Sequence, residues 1–455
     1  MGLFKRGKKQ KQGKKQEQAT EQEPGTEQRN DVPVRLAGAS LEETLRQAPV
    51  GIAHDQAERA RESGDGPGEA RALVWEARAL LEAGRAAEAL TTAQRACEVA
   101  RRTGDPSVRA RAFLVLGQAS ARNERTHDAV RATGTALELF RRVGDREREG
   151  EALGNLSVHL MAADRYREAA DRAQEGLVLV GHDPDQRCVA MANLGTALLG
   201  ARRHADAVPV LREAAGAWRQ LLDTHPDADR DVLLSAEATS LQRLGTCLGE
   251  LERFDEAVAA WQQAAALFEE CGKYRDKARN MFDIGAARLS RSRYDEAADA
   301  FRAAGSEYGD QDDRPAELAA LLNLGYALSC AGRHPESVDA ARRAVESARL
   351  LGDRAGEARA RLDVGKGCAM IPGQSGEAAV CLEQALVLHR ALGDLSGEAM
   401  ATYLLGAVLT DMDRAEEGVG HSERAARLFR TSGKSDLEAG ALRNLGIGRA
   451  KLNRR

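Results

Sequence analysis

Aromatic residues make up only 4% of this 455-residue chain, with 3 Trp, 6 Tyr and 8 Phe. A core built with so few of them must come from Ala and Leu, which rank high in helix propensity and suit closely packed helices. A β-sandwich is disfavoured on the same ground, because strands favour aromatic and β-branched side chains. Cysteine is scarce and unpatterned: the 7 thiols, at 97, 188, 247, 271, 330, 368 and 381, include no Cys-x-x-Cys pair. That argues against a zinc site or a disulfide framework and reads as small buried apolar residues in a reducing compartment. No apolar run approaches the ~20 residues of a membrane span, and the basic start lacks the apolar stretch of a secretory signal. A cytoplasmic location is the expectation. The 9 histidines show no His-Glu-x-x-His, Gly-x-Ser-x-Gly is missing, and Gly433-Lys434-Ser435 has neither the upstream glycine nor the strand of a P-loop. These absences point away from an enzyme and from a resident metal or cofactor.

Charge is present in quantity but unevenly placed. Residues 1–15 hold seven basic residues and no acid; the 66 basic residues of the chain less these seven leave 59 against 70 acidic, a net of −11. An acidic array is not the footprint of a nucleic-acid binder. The tail is different: residues 5–15 are a candidate contact for anionic membrane or nucleic acid, or simply a solubilising segment. Residues 1–38, poor in apolar side chains after Phe4, cannot bury enough surface to offset their ordering entropy and read as a disordered tail. Ser40-x-x-Glu43 forms a capping box, and a short helix over about Val50 to Glu62 follows, so residues 39–68 read as a degenerate first repeat acting as a cap.

What the chain does have is a period. Ala77, Gly117, Ser157, Gly195, Gly245, Gly285, Gly325, Gly365, Gly406 and Gly446 follow one another at 40, 40, 38, 50, 40, 40, 40, 41 and 40 residues. A near-constant spacing of this size marks a solenoid. Each unit over residues 69–455 reads as two helices, A carrying the marker residue and B after a short turn, giving nine repeats and a terminal helix A. Arginine stands eight residues after the marker in most repeats, and an acid follows it: Glu88, Asp128, Glu168, Asp206, Glu256, Glu296, Glu336, Glu377 and Glu417. Such carboxylates complement the dipole of helix B. Nineteen residues after the marker stands a tiny residue, as at Ala96, Ala136, Gly176 and Ala214. The markers and these residues are expected where A and B cross. Glycines such as Gly104 and Gly352 end helix B, and the aspartate after each opens the next helix A.

The recurring Gly-Asp-x4–5-Ala-x4-Asn-Leu-Gly followed by Gly-Arg-x2-Glu-[Ala/Ser], as in Asn323-Leu-Gly through Gly332-Arg-His-Pro-Glu-Ser337, resembles the tetratricopeptide repeat in a variant of about forty residues. Ala- and Arg-rich copies of this kind look like the C-terminal arrays of actinobacterial regulators and signalling NTPases. The resemblance implies an all-α, right-handed α-solenoid whose inner wall is lined by helix A. It further implies that the residue two before the marker faces the groove: Trp75, Asn155, Asn193, Arg243, Asp283, Asn323, Asp363 and Asn444 among them, with Tyr326 and Lys366 one after their markers. Asparagine at that position offers both donor and acceptor to an extended chain.

Two departures interrupt the period. About ten extra residues surround Asp223–Asp231, where Asp227-x-Asp229-x-Asp231 lacks the glycine and glutamate of a calcium loop. Ile371-Pro-Gly-Gln-Ser-Gly376 replaces one Gly-Arg turn, as a kink or joint. The function expected is a non-enzymatic scaffold for protein or peptide partners, an adaptor or regulator. Two alternatives stand beside it: a sensor whose groove binds a small signalling peptide, and a structural protein self-associating through the terminal helix, Leu437–Leu452.

Overall fold

The computed structural model describes residues 50–180, 183–225 and 229–454. The basic tail, the Ser40–Glu43 capping box and Asp227 lie outside them. The chain divides into Met1–Arg35 and Leu36–Arg455, and the architecture below belongs to the second unit. Twenty helices follow one another, with no strand among the described residues. After α1 (Val50–Glu62) come the hairpins α2 (Gly66–Glu82) with α3 (Ala86–Thr103), α4 (Pro106–Arg122) with α5 (Thr126–Val143), and α6 (Arg146–Ala162) with α7 (Tyr166–Leu179). Next are α8 (Pro184–Gly200) with α9 (His204–Thr224), α10 (Arg230–Glu250) with α11 (Phe254–Glu270), and α12 (Tyr274–Ser290) with α13 (Tyr294–Asp310). The array closes with α14 (Arg314–Cys330) and α15 (His334–Leu351), α16 (Arg354–Ala369) and α17 (Ser375–Leu392), α18 (Leu395–Asp411) and α19 (Ala415–Thr431), and the unpaired α20 (Ser435–Leu452). The fold is a right-handed α-solenoid, as expected, with even-numbered helices as A and odd-numbered ones as B.

Local chemistry sets each boundary. Eight A helices open on an aspartate whose carboxylate accepts from backbone N–H groups of the first turn, for example Asp105 from Ser107 and Val108, and Asp353 from Ala355 and Gly356. Such a cap contributes about 1 kcal/mol. Asp229 does the same at α10, so in the stretched junction it serves as a helix cap. The ten extra residues lengthen α9 and α10 to 21 residues each, where most A helices have 17. B helices start differently. In eight of the nine B helices from α3 on, an arginine occupies the cap position without capping the backbone, Gln374 standing there at α17; the guanidinium instead reaches the acid three residues on, as in Arg165–Glu168 and Arg333–Glu336, with contacts of 2.6–2.7 Å. The broken turn at Pro372 is local: α16 ends at Ala369, Gly373 adopts φ 83°, and α17 packs on α16 like any other hairpin.

At the crossing of A and B the marker and the tiny residue meet different partners. A Cβ on the marker glycine would strike the residue sixteen further on: Thr133 for Gly117, Leu211 for Gly195, Trp261 for Gly245, Phe301 for Gly285 and Ser422 for Gly406. In the eighth repeat, after its insertion, the residue struck by Gly365 is Leu382. The tiny residue nineteen on lies farther along the same A–B contact, Gly176 against Leu153, four before its own marker. The reason is antiparallel register: moving three residues along B moves the contact about as far back along A. Where the marker already carries a Cβ, at Ala77 and Ser157, the residue sixteen on shrinks to Ala93 and Ala173, both buried. At these two crossings a larger marker is matched by a small partner, as close packing favours, whereas Gly325 meets only backbone atoms of Ser337 and Ala341 and the Ala340 methyl.

Candidate functional site

Successive A helices also meet each other, as α2 with α4, α6 with α8, α8 with α10 and α16 with α18. No B helix makes comparable contact with the next B helix among the described residues. The A side is therefore the tightly stacked inner wall. One ion pair makes this plain: Arg78 on α2 reaches Glu151 on α6 at 3.2 Å, skipping a whole repeat.

The ten expected residues all lie on A helices, one or two positions from their markers. At the start of the array Trp75 is 39% exposed. Asn155, Asn193, Arg243, Asp283, Asn323, Asp363 and Asn444 are half-buried, and so is Lys366. Two asparagines spend part of their amide on their own helix: Asn155 Nδ2 donates to Glu151 O at 3.1 Å and Asn323 Nδ2 to Ala319 O at 2.8 Å. Each keeps one N–H and the carbonyl oxygen. Among the described residues, Asn193 makes no side-chain hydrogen bond, and Asn444 Nδ2 is enclosed without a partner. The structure brings Tyr326 and Lys366 together, the ammonium lying 5.8 Å from the ring centroid; Tyr326 is 41% exposed. Trp75 and Asn444 stay at opposite ends of the array.

Electrostatics single out α12 to α16. Burial pushes the Asp283 carboxyl up to about 6 against the weaker opposing pull of Arg279. Asp363 is likewise pushed up to about 6 by burial, with Arg359 and Lys366 pulling the other way. Asn323 and Tyr326, on the helix between them, complete a stretch that mixes acid, amide, phenol and ammonium. Frame positions alone placed these residues on one wall. They did not show the Arg78–Glu151 pair or Gln118, which is buried at 8% exposure with its Oε1 unbonded. The available signal was opposite charge at A-helix positions two repeats apart, which does not by itself pair them. Among the described residues no group of His, Cys, Asp and Glu could hold a metal ion, and no helix is long and apolar enough to cross a membrane.

A right-handed array of paired helices with a polar inner wall defines a repeat-built interaction scaffold, the class whose extended surfaces bind other macromolecules. The chain carries tetratricopeptide repeats: family models described as tetratricopeptide repeat match residues 236–304 and 45–108. No curated protein matches it. Among solved structures it is similar to the apo form of RapI, at a TM-score of 0.52 and 10% identity, covering 85% of this chain and 98% of that one. It is also similar to a signal transduction ATPase with a tetratricopeptide repeat sensor from Pyrococcus horikoshii, at 0.48 and 11%, over 77% of this chain and 55% of the other. A Rap protein complexed with competence and sporulation factor aligns at 0.40 and 13%, over 86% and 100%. These likenesses concern the fold.

Proposed function

We propose that the chain is a non-enzymatic adaptor or regulator that binds a protein or peptide partner along the inner A-helix wall. The observation that carries this reading is the stretch from Asp283 to Lys366. Two half-buried carboxylates have no ion-pair or hydrogen-bond partner among the described residues, an amide oxygen at Asn323 is free, and an exposed Tyr326 ring is backed by Lys366. Buried polar groups are normally satisfied, so a row of unsatisfied ones along a wall is an offer to an incoming chain. An extended peptide supplies alternating N–H and C=O groups to meet it. Affinity capture from the source cell with the unchanged chain and with Asn193→Ala/Asn323→Ala tests the reading. A partner retained by the first and lost by the second, with helicity intact, supports it; partners held equally by both refute it.

A further inference from the structure

At repeats one to three the wall positions read Arg71, Trp75 and Arg78 on α2; Arg111, Val115 and Gln118 on α4; Glu151, Asn155 and Val158 on α6. Three arginines against one glutamate make this stretch basic inside an array that is acidic as a whole. The lone glutamate is doubly held. Its Oε1 accepts from Arg78 Nη2 at 3.2 Å and its Oε2 from Arg148 Nη1 at 2.7 Å. To join α2 to α6 the first pair must pass over the wall face of α4. That face is closed accordingly: Val115 is 1% exposed and Gln118 8%, whereas Trp75 and Tyr326, at the matching positions of other repeats, are 39% and 41% exposed. Under the bridge Gln118 Oε1 is enclosed and accepts no hydrogen bond. An amide oxygen taken from water and left unpaired is costly, and among the described residues nothing meets it.

We propose that Glu151 is an internal stand-in for a ligand carboxylate and that an acidic peptide segment docks on α2, α4 and α6 by displacing it. The inference rests on the reading of the wall as a peptide-binding surface. A ligand Asp or Glu takes the Arg78 guanidinium, whose fork matches a carboxylate. The bridge then leaves α4, and Gln118 Oε1 accepts a backbone N–H of the peptide. The exposed Arg71 and Arg111 attract the acidic chain, and the Trp75 ring covers its apolar atoms. A basic peptide meets like charge at the same place.

The test titrates the full chain and its Glu151→Gln form with a fluorescein-labelled Glu-Gly alternating peptide, its Lys-Gly counterpart and an oligothymidylate of equal charge, at low and physiological salt. Glu151→Gln is expected to bind the acidic peptide about fivefold more tightly than the unchanged chain, because a part-exposed ion pair no longer competes. Adding Arg78→Ala should abolish the gain and adding Gln118→Ala should reduce it, while thermal melts confirm that each variant folds. Equal affinity of the two forms, no binding by either, or preference for the Lys-Gly peptide overturns the proposal. A gain shared by the oligothymidylate overturns the assignment to peptide and leaves a general anion patch. Acidic-peptide binding that ignores Glu151→Gln but falls on Asn323→Ala sinks this inference while the wider reading of the wall survives.

Discussion

An aspartate packed among helices without an ion-pair partner costs stability once it ionises. Asp363 shows this most clearly, with a pKa of about 6 against an ordinary value of 3.8, raised by burial more than Arg359 and Lys366 lower it. Between those two values the folded chain holds a proton that the unfolded chain has released. Stability from this group therefore falls as pH rises from about 4 to about 6 and is level above that window. Asp363→Asn is expected to stabilise the array by roughly 1–2 kcal/mol at pH 7 and to match the unchanged chain near pH 4. Urea midpoints of the two proteins across that range check it; an equal midpoint at pH 7 would falsify the claim that the carboxylate is unpaired. His159 has the opposite sign. Burial pushes it down to about 4 beside Thr133 Oγ1 at 3.1 Å, so its contribution is present above pH 6.5 and lost as pH falls toward 4. Only the difference between variant and parent isolates Asp363.

At the scale of the helix pair, five marker glycines are seats filled by the residue sixteen on. The Trp261 indole fills the seat at Gly245, where a Cβ would lie 2.5 Å from Nε1. Its Nε1 also donates to Gln242 O at 3.2 Å, holding the ring in place. Gly245→Ala should cost roughly 1–3 kcal/mol through overpacking. Gly446→Ala, on α20 where no B helix follows and a Cβ meets nothing within 4 Å, should instead gain up to about 1 kcal/mol of helix propensity. Thermal melts of the two variants decide it: similar shifts would mean that the crossing does not depend on the seat. Much of this element was legible in the sequence, because period, caps and turns are local signals that agree with one another. Which residue faces each marker was not legible, since sequence shows which residues are small but not the antiparallel register that sets the marker against the residue sixteen on. The Arg78–Glu151 bridge was illegible for a similar reason. It depends on how far one repeat rotates on the next, which no single repeat encodes.

Across the whole array, stability should follow the quality of each repeat and its two neighbours, because repeats touch little else. The middle is the strongest part. One continuous apolar cluster runs from Ala110 on α4 to Ala300 on α13 and includes Leu211, Trp261 and Phe268. Toward the C-terminus the core breaks into smaller clusters, and the last full repeat is polar inside. Thr402 and Ser422 are fully buried with unpaired hydroxyls, each lost to water without compensation. Beyond them α20 is covered on one side only: Leu442 is 44% exposed, although its counterparts Leu73, Leu153 and Leu321 are buried. Arg443 is exposed on α20, and Arg449 reaches back to Glu423 on α19 at 2.7 Å. Ile447 is 47% exposed on the same helix, so α20 presents apolar and charged side chains together. Hydrogen exchange read by segment should therefore show α18 to α20 opening first and α8 to α12 last. Ser422→Ala, which removes one unpaired hydroxyl, should slow exchange in α18 and α19 while leaving α8 to α12 unchanged. Exchange that is uniform along the array, or a Ser422→Ala effect that spreads to the middle, would mean that the repeats unfold as one cooperative body and that the polar last repeat sets no local weakness.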